Sequence, residues 1–204
     1  MTTQNDQAPT VFIVEDDAAI RFAMQALMDS VNLDHEIYGS GDEFLEKMTD
    51  QRPGCLVLDI RMPGLGGLEL QEELIKRGNT LPIIFITGHG DVPMAVEAMQ
   101  KGAVDFIQKP FRDQELLDRI REALATDEER RVAQQHHAEV AGRLDRLTNR
   151  EREVFDLVVT GKPNKVIAYE LGVSQRTVEI HRARVMEKMQ ARSLADLVKM
   201  HMTA

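Results

Sequence analysis

Over the first 125 residues, short apolar runs alternate with segments whose apolar side chains recur at helical spacing. The run T-V-F-I-V at 10–14 reads as a strand, and Ile20, Met24, Leu27, Met28 and Val31 give a helix over 18–31. A shorter strand is predicted over 34–38. Ser40 and Glu43 then have the S-x-x-E form of a capping box, opening a helix to about residue 48. The apolar stretch C-L-V-L-D-I-R-M-P-G at 55–64 has the make-up of a strand buried on both faces, bounded by Pro-Gly pairs. Helices are predicted over about 65–77, 93–101 and 113–125, with strands over 82–86 and 103–108 between them. Five strand-helix units in succession imply a parallel sheet covered by helices on both faces.

The strand order such a chain is expected to take is 2-1-3-4-5, the flavodoxin-like α/β arrangement. Residues 126–143 are polar good helix formers and are expected to prolong the helix before them, with Gly142 marking its end. The remainder reads as all-α. Thr148 and Glu151 supply a second capping box, and Val154, Leu157 and Val158 form one face of a helix ending at Gly161. Further helices follow over 164–171, 175–189 (capped by Ser174) and 194–200. The turn at Gly172-Val173-Ser174 makes the middle pair a helix-turn-helix, whose second helix enters the major groove of DNA. The expected division is a disordered N-terminus over 1–9, an α/β domain over 10–125, a helical linker over 126–143 and a four-helix domain over 144–204.

Composition adds little except through charge. The 204 residues are 43% hydrophobic and 29% charged, ordinary values for a globular protein. The single cysteine, Cys55, lies in an apolar run, so no internal disulfide can form and a buried inert thiol is expected. Residues 1–9 are polar and lack the apolar core of a signal peptide, and no stretch of 18 apolar residues could span a membrane, so a cytoplasmic protein without membrane partners is expected. The net charge of −9 is uneven: 22 acidic residues stand against 11 basic ones in 1–124, and 4 against 8 from Lys162 onward. Any anionic partner therefore belongs at the C-terminal end.

The candidate chemistry lies at the strand ends. A doubly wound sheet brings the carboxyl ends of strands 1, 3, 4 and 5 to one crevice, which here receives Glu15, Asp16 and Asp17, then Asp59, Thr87 and Lys109. Converging carboxylates repel one another unless a hard cation neutralises them, which points to Mg²⁺ or a similar ion. A metal beside one carboxylate, one hydroxyl and one lysine is equipment for phosphoryl transfer to Asp59. Two rival readings fail on spacing. A dehalogenase-type phosphatase needs a second acid two residues after the nucleophile, where Arg61 stands, and Gly64-Leu65-Gly66-Gly67 lacks dinucleotide-binding spacing.

Residues 10–124 resemble a two-component receiver domain through V-E-D-D at 14–17, L-D-I-R-M-P-G at 58–64, T-G-H-G-D-V-P-M-A at 87–95 and G-A-V-D-F-I-Q-K-P-F at 102–111. The resemblance implies Asp59 as phosphoacceptor, Glu15 and Asp16 as the acidic pair with Asp16 the direct metal ligand, and the Arg61 backbone carbonyl as a further ligand of Mg²⁺ or Mn²⁺. It implies Thr87 as switch hydroxyl, Lys109 as phosphate-binding lysine and Phe106 as the aromatic that changes rotamer. Arg21, five residues after Asp16, sets this register and leaves Asp17 as a helix N-terminal acid. His89, between two glycines, is read as a solvent-exposed loop residue, and His136 and His137 as solvated.

Residues 144–200 resemble the LuxR-type DNA-binding domain through L-T-N-R-E-R-E-V-F at 147–155, N-K-V-I-A-Y-E-L at 164–171 and S-Q-R-T-V-E-I-H-R-A-R-V-M-E-K-M at 174–189. By position, Glu179, Ile180 and Ala183 match base-facing residues. Lys165, Arg176, Thr177, His181, Arg182, Arg184 and Lys188 are candidates for phosphate contacts. Val178, Val185 and Met189 would form the buried stripe, leaving Arg176, Glu179, Arg182, Ala183 and Met186 towards solvent. The order of parts is that of NarL/FixJ response regulators, with the 87–95 stretch favouring the FixJ-like branch. The resemblance implies a transcription regulator, phosphorylated by a sensor histidine kinase, that dimerises through the fourth helix and fifth strand and binds promoter DNA, with RNA polymerase as a further partner. It implies no enzyme beyond slow hydrolysis of its own aspartyl phosphate. The alternative is a phosphate sink or interaction module whose DNA binding is weak or indifferent to phosphate.

Overall fold

The computed structural model describes residues 8–49, 52–88 and 92–203, and the chain divides between Arg130 and Arg131 into two compact units. In the first, β1 (Thr10–Val14), β2 (His35–Tyr38), β3 (Gly54–Asp59), β4 (Ile83–Thr87) and β5 (Asp105–Gln108) form one parallel sheet in the order β2-β1-β3-β4-β5. They alternate with α1 (Ala18–Ser30), α2 (Gly41–Lys47), α3 (Gly67–Lys76), α4 (Val92–Gln100) and α5 (Asp113–Leu144). Both the parallel pairing and the 2-1-3-4-5 order are those expected from the pattern of apolar runs.

Successive strand residues face opposite sides of a sheet, and here both sides are covered. Phe12 and Val14 of β1 pack with Leu56, Leu58 and Phe85 against Phe44, Leu70 and Ala98 of α2, α3 and α4. Val11 and Ile13 pack with Val57, Ile84 and Ile86 against Met24 and Met28 of α1 and Leu116 and Ile120 of α5. That two-sided burial is why β1, β3 and β4 read as largely apolar runs. Cys55 belongs to the second cluster, and burial pushes its thiol up to about 12, so it is inert as a nucleophile.

Caps fix where the helices begin. Asp17 accepts from the backbone N–H groups of Ala19 (2.7 Å) and Ile20 (3.2 Å), which makes it the N-cap of α1. Ser40 caps α2, accepting from the Glu43 N–H at 3.2 Å. Helix α3 starts at Gly67 rather than near residue 65, because Gly66 is its cap and donates its N–H to Glu69 at 2.8 Å. Strand β5 starts at Asp105 rather than 103. Gly102 turns into the left-handed region, and the Ala103 N–H returns to the Ala98 carbonyl at 3.0 Å to close α4.

Helix α5 runs for 32 residues and passes through Gly142, which was expected to end it. Beyond its apolar turns at Leu116, Ile120 and Ala123 it carries Asp127, whose buried carboxylate accepts the Gly54 N–H at 3.0 Å. Arg130 pairs with Asp127 and donates to the Thr80 carbonyl. Gly54 opens β3 at a φ of 150°, and a Cβ there would stand 1.9 Å from the Thr10 carbonyl oxygen. Only glycine fits that close approach.

The second unit contains α6 (Asn149–Val159), α7 (Asn164–Leu171), α8 (Gln175–Met189) and α9 (Leu194–Thr203), and its core also takes Val140 and Leu144 from the end of α5. Helix α7 ends on Gly172, left-handed at φ 66°, and Ser174 caps α8 by accepting the Thr177 N–H at 3.1 Å. Thr148 and Glu151 form the capping box of α6, with the Thr148 N–H donating to Glu151 at 2.8 Å. The Lys188 ammonium of α8 donates to the same carboxylate at 2.5 Å and to the Arg146 carbonyl at 3.0 Å, which ties α8 to the start of α6. The Lys188 ammonium, with the Thr148 N–H, holds the Glu151 carboxyl down at about 2. Among the described residues no helix is long and apolar enough to cross a membrane.

Two outcomes are expected. Asp127→Ala leaves the Gly54 N–H without its acceptor and should cost on the order of 1–3 kcal/mol, read as a lower urea midpoint and faster hydrogen exchange at the start of β3, while Asp127→Asn retains an acceptor and much of the stability. Because the Glu151 carboxyl lies below its ordinary 4.5 when folded, its contribution is complete above about pH 4.5 and is lost as pH falls towards 2. Lys188→Met should lower the melting temperature of the second unit at pH 7 and flatten that acid dependence, as followed by thermal unfolding across pH.

Candidate functional site

Parallel pairing sets the site. β1 and β3 run side by side with Val14 opposite Leu58, so Glu15 and Asp59 emerge together at the carboxyl end of the sheet. β4 pairs Ile86 with Asp59, and the Lys109 N–H continues the β4–β5 ladder by donating to the Thr87 carbonyl at 2.7 Å. The loop after β3 turns back tightly: the Gly67 N–H donates to the Ile60 carbonyl at 3.0 Å, and a Cβ on Gly67 would stand 2.3 Å from the Asp59 carbonyl oxygen. Four strand ends thus deliver the acids, the hydroxyl and the lysine to one edge.

At the centre the Lys109 ammonium donates to Asp59 at 2.6 Å and to Glu15 at 2.8 Å. The other Asp59 oxygen accepts the Arg61 N–H at 3.1 Å. Asp59 is 6% exposed and Glu15 1%, whereas Asp16 is exposed. Burial pushes the Glu15 carboxyl up to about 7; the hydrogen bond from Lys109 opposes the rise and the charge of Asp59 adds to it. Burial works against the Lys109 charge, but its bonds to Asp59 and Glu15 outweigh this and leave the ammonium raised. Carboxylate oxygens of Glu15, Asp16 and Asp59 all lie within 4.8 Å of one another. Three hard oxygen donors at that spacing suit Mg²⁺ or Mn²⁺.

The other expected residues lie as follows. Thr87 is buried, with its hydroxyl donating to the Gly88 carbonyl at 2.9 Å. Phe106, opposite Phe85 in the sheet register, is 44% exposed and turned outward. His89 lies outside the described residues. Arg21 does more than mark register: its guanidinium donates to the carbonyls of Glu15 (2.8 Å) and Asp16 (2.6 Å) and holds the acidic loop from behind. Its place one turn into α1, facing back to the loop, was the available signal.

On α8, Val178, Val185 and Met189 are buried as expected. Arg176, Glu179, Ile180, Ala183 and Arg184 are exposed, as is Lys165 on α7, while Thr177 is half-buried. Three side chains depart from a fully outward helix face. Arg182 is half-buried and donates to the Asn164 side chain at 3.0 Å. His181 is half-buried with its Nδ1 enclosed, and Met186 packs against the core instead of facing solvent. The ammonium of Lys188 is engaged by Glu151 and Arg146 within the unit, so its charge is already balanced by a neighbour.

Comparison with known proteins matches both units. Residues 11–121 match the response regulator receiver domain family, and residues 145–201 match the bacterial regulatory proteins of the luxR family. Nodulation protein W of Bradyrhizobium diazoefficiens is 49% identical over 98% of this chain and 88% of its own length. The transcriptional regulatory protein FixJ of Azorhizobium caulinodans is 44% identical over 95% of this chain and 92% of its own. Among solved structures, the response regulator StyR is similar with a TM-score of 0.89 and 43% identity, covering 97% of this chain and all of that one. Full-length FixJ from B. japonicum gives a TM-score of 0.61 and 40% identity, with 96% of each chain covered. With a strand-end acidic site in its first unit and a helix-turn-helix in its second, the chain belongs to the NarL/FixJ-type response regulators, which join a receiver domain to a LuxR-type DNA-binding domain.

Proposed function

We propose that this response regulator is a transcription factor activated by phosphorylation of Asp59 by a sensor histidine kinase in the cytoplasm. The observation that carries the proposal is the setting of Asp59: a nearly buried carboxylate with one oxygen on the Lys109 ammonium and the other on the Arg61 N–H, beside Glu15 and Asp16. In the transfer, an Asp59 oxygen attacks phosphorus, the bond from phosphorus to the kinase's imidazole nitrogen breaks, and the imidazole leaves with that electron pair. Glu15, Asp16, Asp59 and the Arg61 carbonyl would hold the divalent cation, which supplies positive charge to the phosphoryl oxygens. Lys109 supplies a second positive charge and is already in reach of Asp59. Water slowly hydrolyses the aspartyl phosphate and resets the site, and no separate substrate is turned over.

The readout follows from local electrostatics. A phosphoryl group on Asp59 draws the Thr87 hydroxyl away from the Gly88 carbonyl, and Phe106 turns inward into the space released. Val96, Met99, Val104 and Phe106 now leave an exposed apolar surface on α4 and around β5. Its rearrangement favours a homodimer, which presents two helix-turn-helix units to half-sites about one helical turn, ~34 Å, apart at a promoter read by RNA polymerase. Residues 10–125 act as receiver, 126–143 as linker and 144–204 as DNA-binding domain.

The test combines sedimentation with DNA titration, using a small phosphodonor and Mg²⁺, for the wild type and Asp59→Asn. The wild type should dimerise and bind a palindromic site on the order of tenfold more tightly or better, in the range of ordinary allosteric couplings, and chelation of Mg²⁺ should abolish the gain. Asp59→Asn should do neither. Equal DNA binding by both proteins, with neither dimerising, would mean a receiver decoupled from DNA.

A further inference from the structure

Helices α3 and α4 meet through small and aliphatic side chains, with one buried amide between them. Leu70 and Leu74 of α3 and Ala98 of α4 belong to the same core cluster, and Met94 packs at its edge. Gln71 is 1% exposed, and its Nε2 donates to the Ala98 carbonyl at 3.1 Å. A carbonyl can only accept, so this contact fixes which end of the amide faces α4. The other end, Oε1, is enclosed and has no hydrogen-bond partner among the described residues.

A half-satisfied buried amide adds little to folding stability, because the enclosed oxygen loses water without gaining a donor. Ala98 does not need it either: the same carbonyl accepts the Ala103 N–H at 3.0 Å, the bond that closes α4. A leucine of similar volume would fill the space and leave neither partner with an unpaired polar atom. What the amide adds is direction. Apolar contact is non-directional and lets an alanine face slide over its neighbour, whereas a hydrogen bond to one carbonyl specifies one position of the helix. Further out, the Lys101 ammonium joins Glu72 of α3 at 2.7 Å to Glu97 of α4 at 2.6 Å, but these side chains are partly exposed and such pairs weigh little in water.

The pinned turn is the one that leads through Gly102 to β5 and Phe106. We propose that Gln71 is a positioning residue for the switch: it pins the last turn of α4 in its resting place and opposes the rearrangement that phosphorylation of Asp59 drives. Moving α4 away breaks the bond to Ala98 and leaves both ends of the amide buried without partners, a cost that phosphorylation overcomes. The inference rests on the proposed dimer surface of α4 and β5.

The experiment compares the full-length wild type with Gln71→Leu and Gln71→Met, each alone and combined with Asp59→Asn, by sedimentation, urea unfolding and amide hydrogen exchange. Without phosphodonor, Gln71→Leu should raise the dimer-competent fraction about fivefold, the weight of one buried hydrogen bond, and the dimerisation constant, which takes two such chains, by about the square of that. The gain should persist with Asp59→Asn present. The urea midpoint should be unchanged or higher, and exchange over 101–103 faster, with α1 and α5 as in the wild type. Gln71→Met, whose unbranched side chain repacks easily, should behave alike and serves where leucine distorts the core. Dimerisation of both variants at the wild-type level without phosphodonor would overturn the inference, and so would a lower midpoint with no gain in dimerisation, the mark of ordinary packing. A wild type that fails to dimerise with phosphodonor and Mg²⁺ would overturn the reading of the α4 and β5 surface, and the inference with it.

Discussion

Two carboxylates that repel each other, Glu15 and Asp59, are forced together by the parallel pairing of β1 and β3, and one ammonium, Lys109, keeps them there. Neither acid can leave without breaking the sheet. Lys109 is held in turn by the ladder between β5 and β4, so charge balance at the edge depends on all four strands keeping register. Arg21 adds a second support by bonding the backbone of the acidic loop, which orients the carboxylates without competing for their oxygens. The crevice is thus poised for positive charge, and its chemistry follows from a topological constraint on strand ends.

The second unit solves a related problem with its own ion pair. Glu151 closes the capping box of α6 and is reached by Lys188 from α8, so a side chain of the second helix of the helix-turn-helix also fixes where α6 begins. This leaves α8 with two kinds of charge. Lys188 and Arg182 are engaged by the scaffold, and Arg176, Glu179 and Arg184 remain on the outside. The division separates groups that hold the helix in place from groups available to a partner.

Much of this was legible in the sequence because the relevant signals are local. The five strand runs, the acids at the ends of the first and third and the capping boxes at Ser40 and Thr148 each reflect one strand or one helix turn, and short-range patterns record such things directly. What was hidden required partners distant in sequence. Lys188 reads as a basic residue on a basic helix until Glu151, 37 positions earlier, is seen beside it. Asp127 sits in a stretch so polar that it reads as solvated linker, and its burial depends on a backbone N–H 73 residues away. Gly142 gave the signal of a helix end, but α5 continues through it because Val140 and Leu144 on either side are packed into the second unit.

The Asp127 anchor changes where the first unit can be cut. The match to the receiver family stops at residue 121, and a fragment made to that boundary would look complete by its strands and motifs. It would nevertheless lack the carboxylate that accepts the Gly54 N–H and the guanidinium that donates to the Thr80 carbonyl, exposing the rear edge of the strand that carries Asp59 at its front. Autonomy of the unit therefore extends at least to Arg130. A shorter piece studied in isolation reports on a frayed sheet as much as on the acidic site.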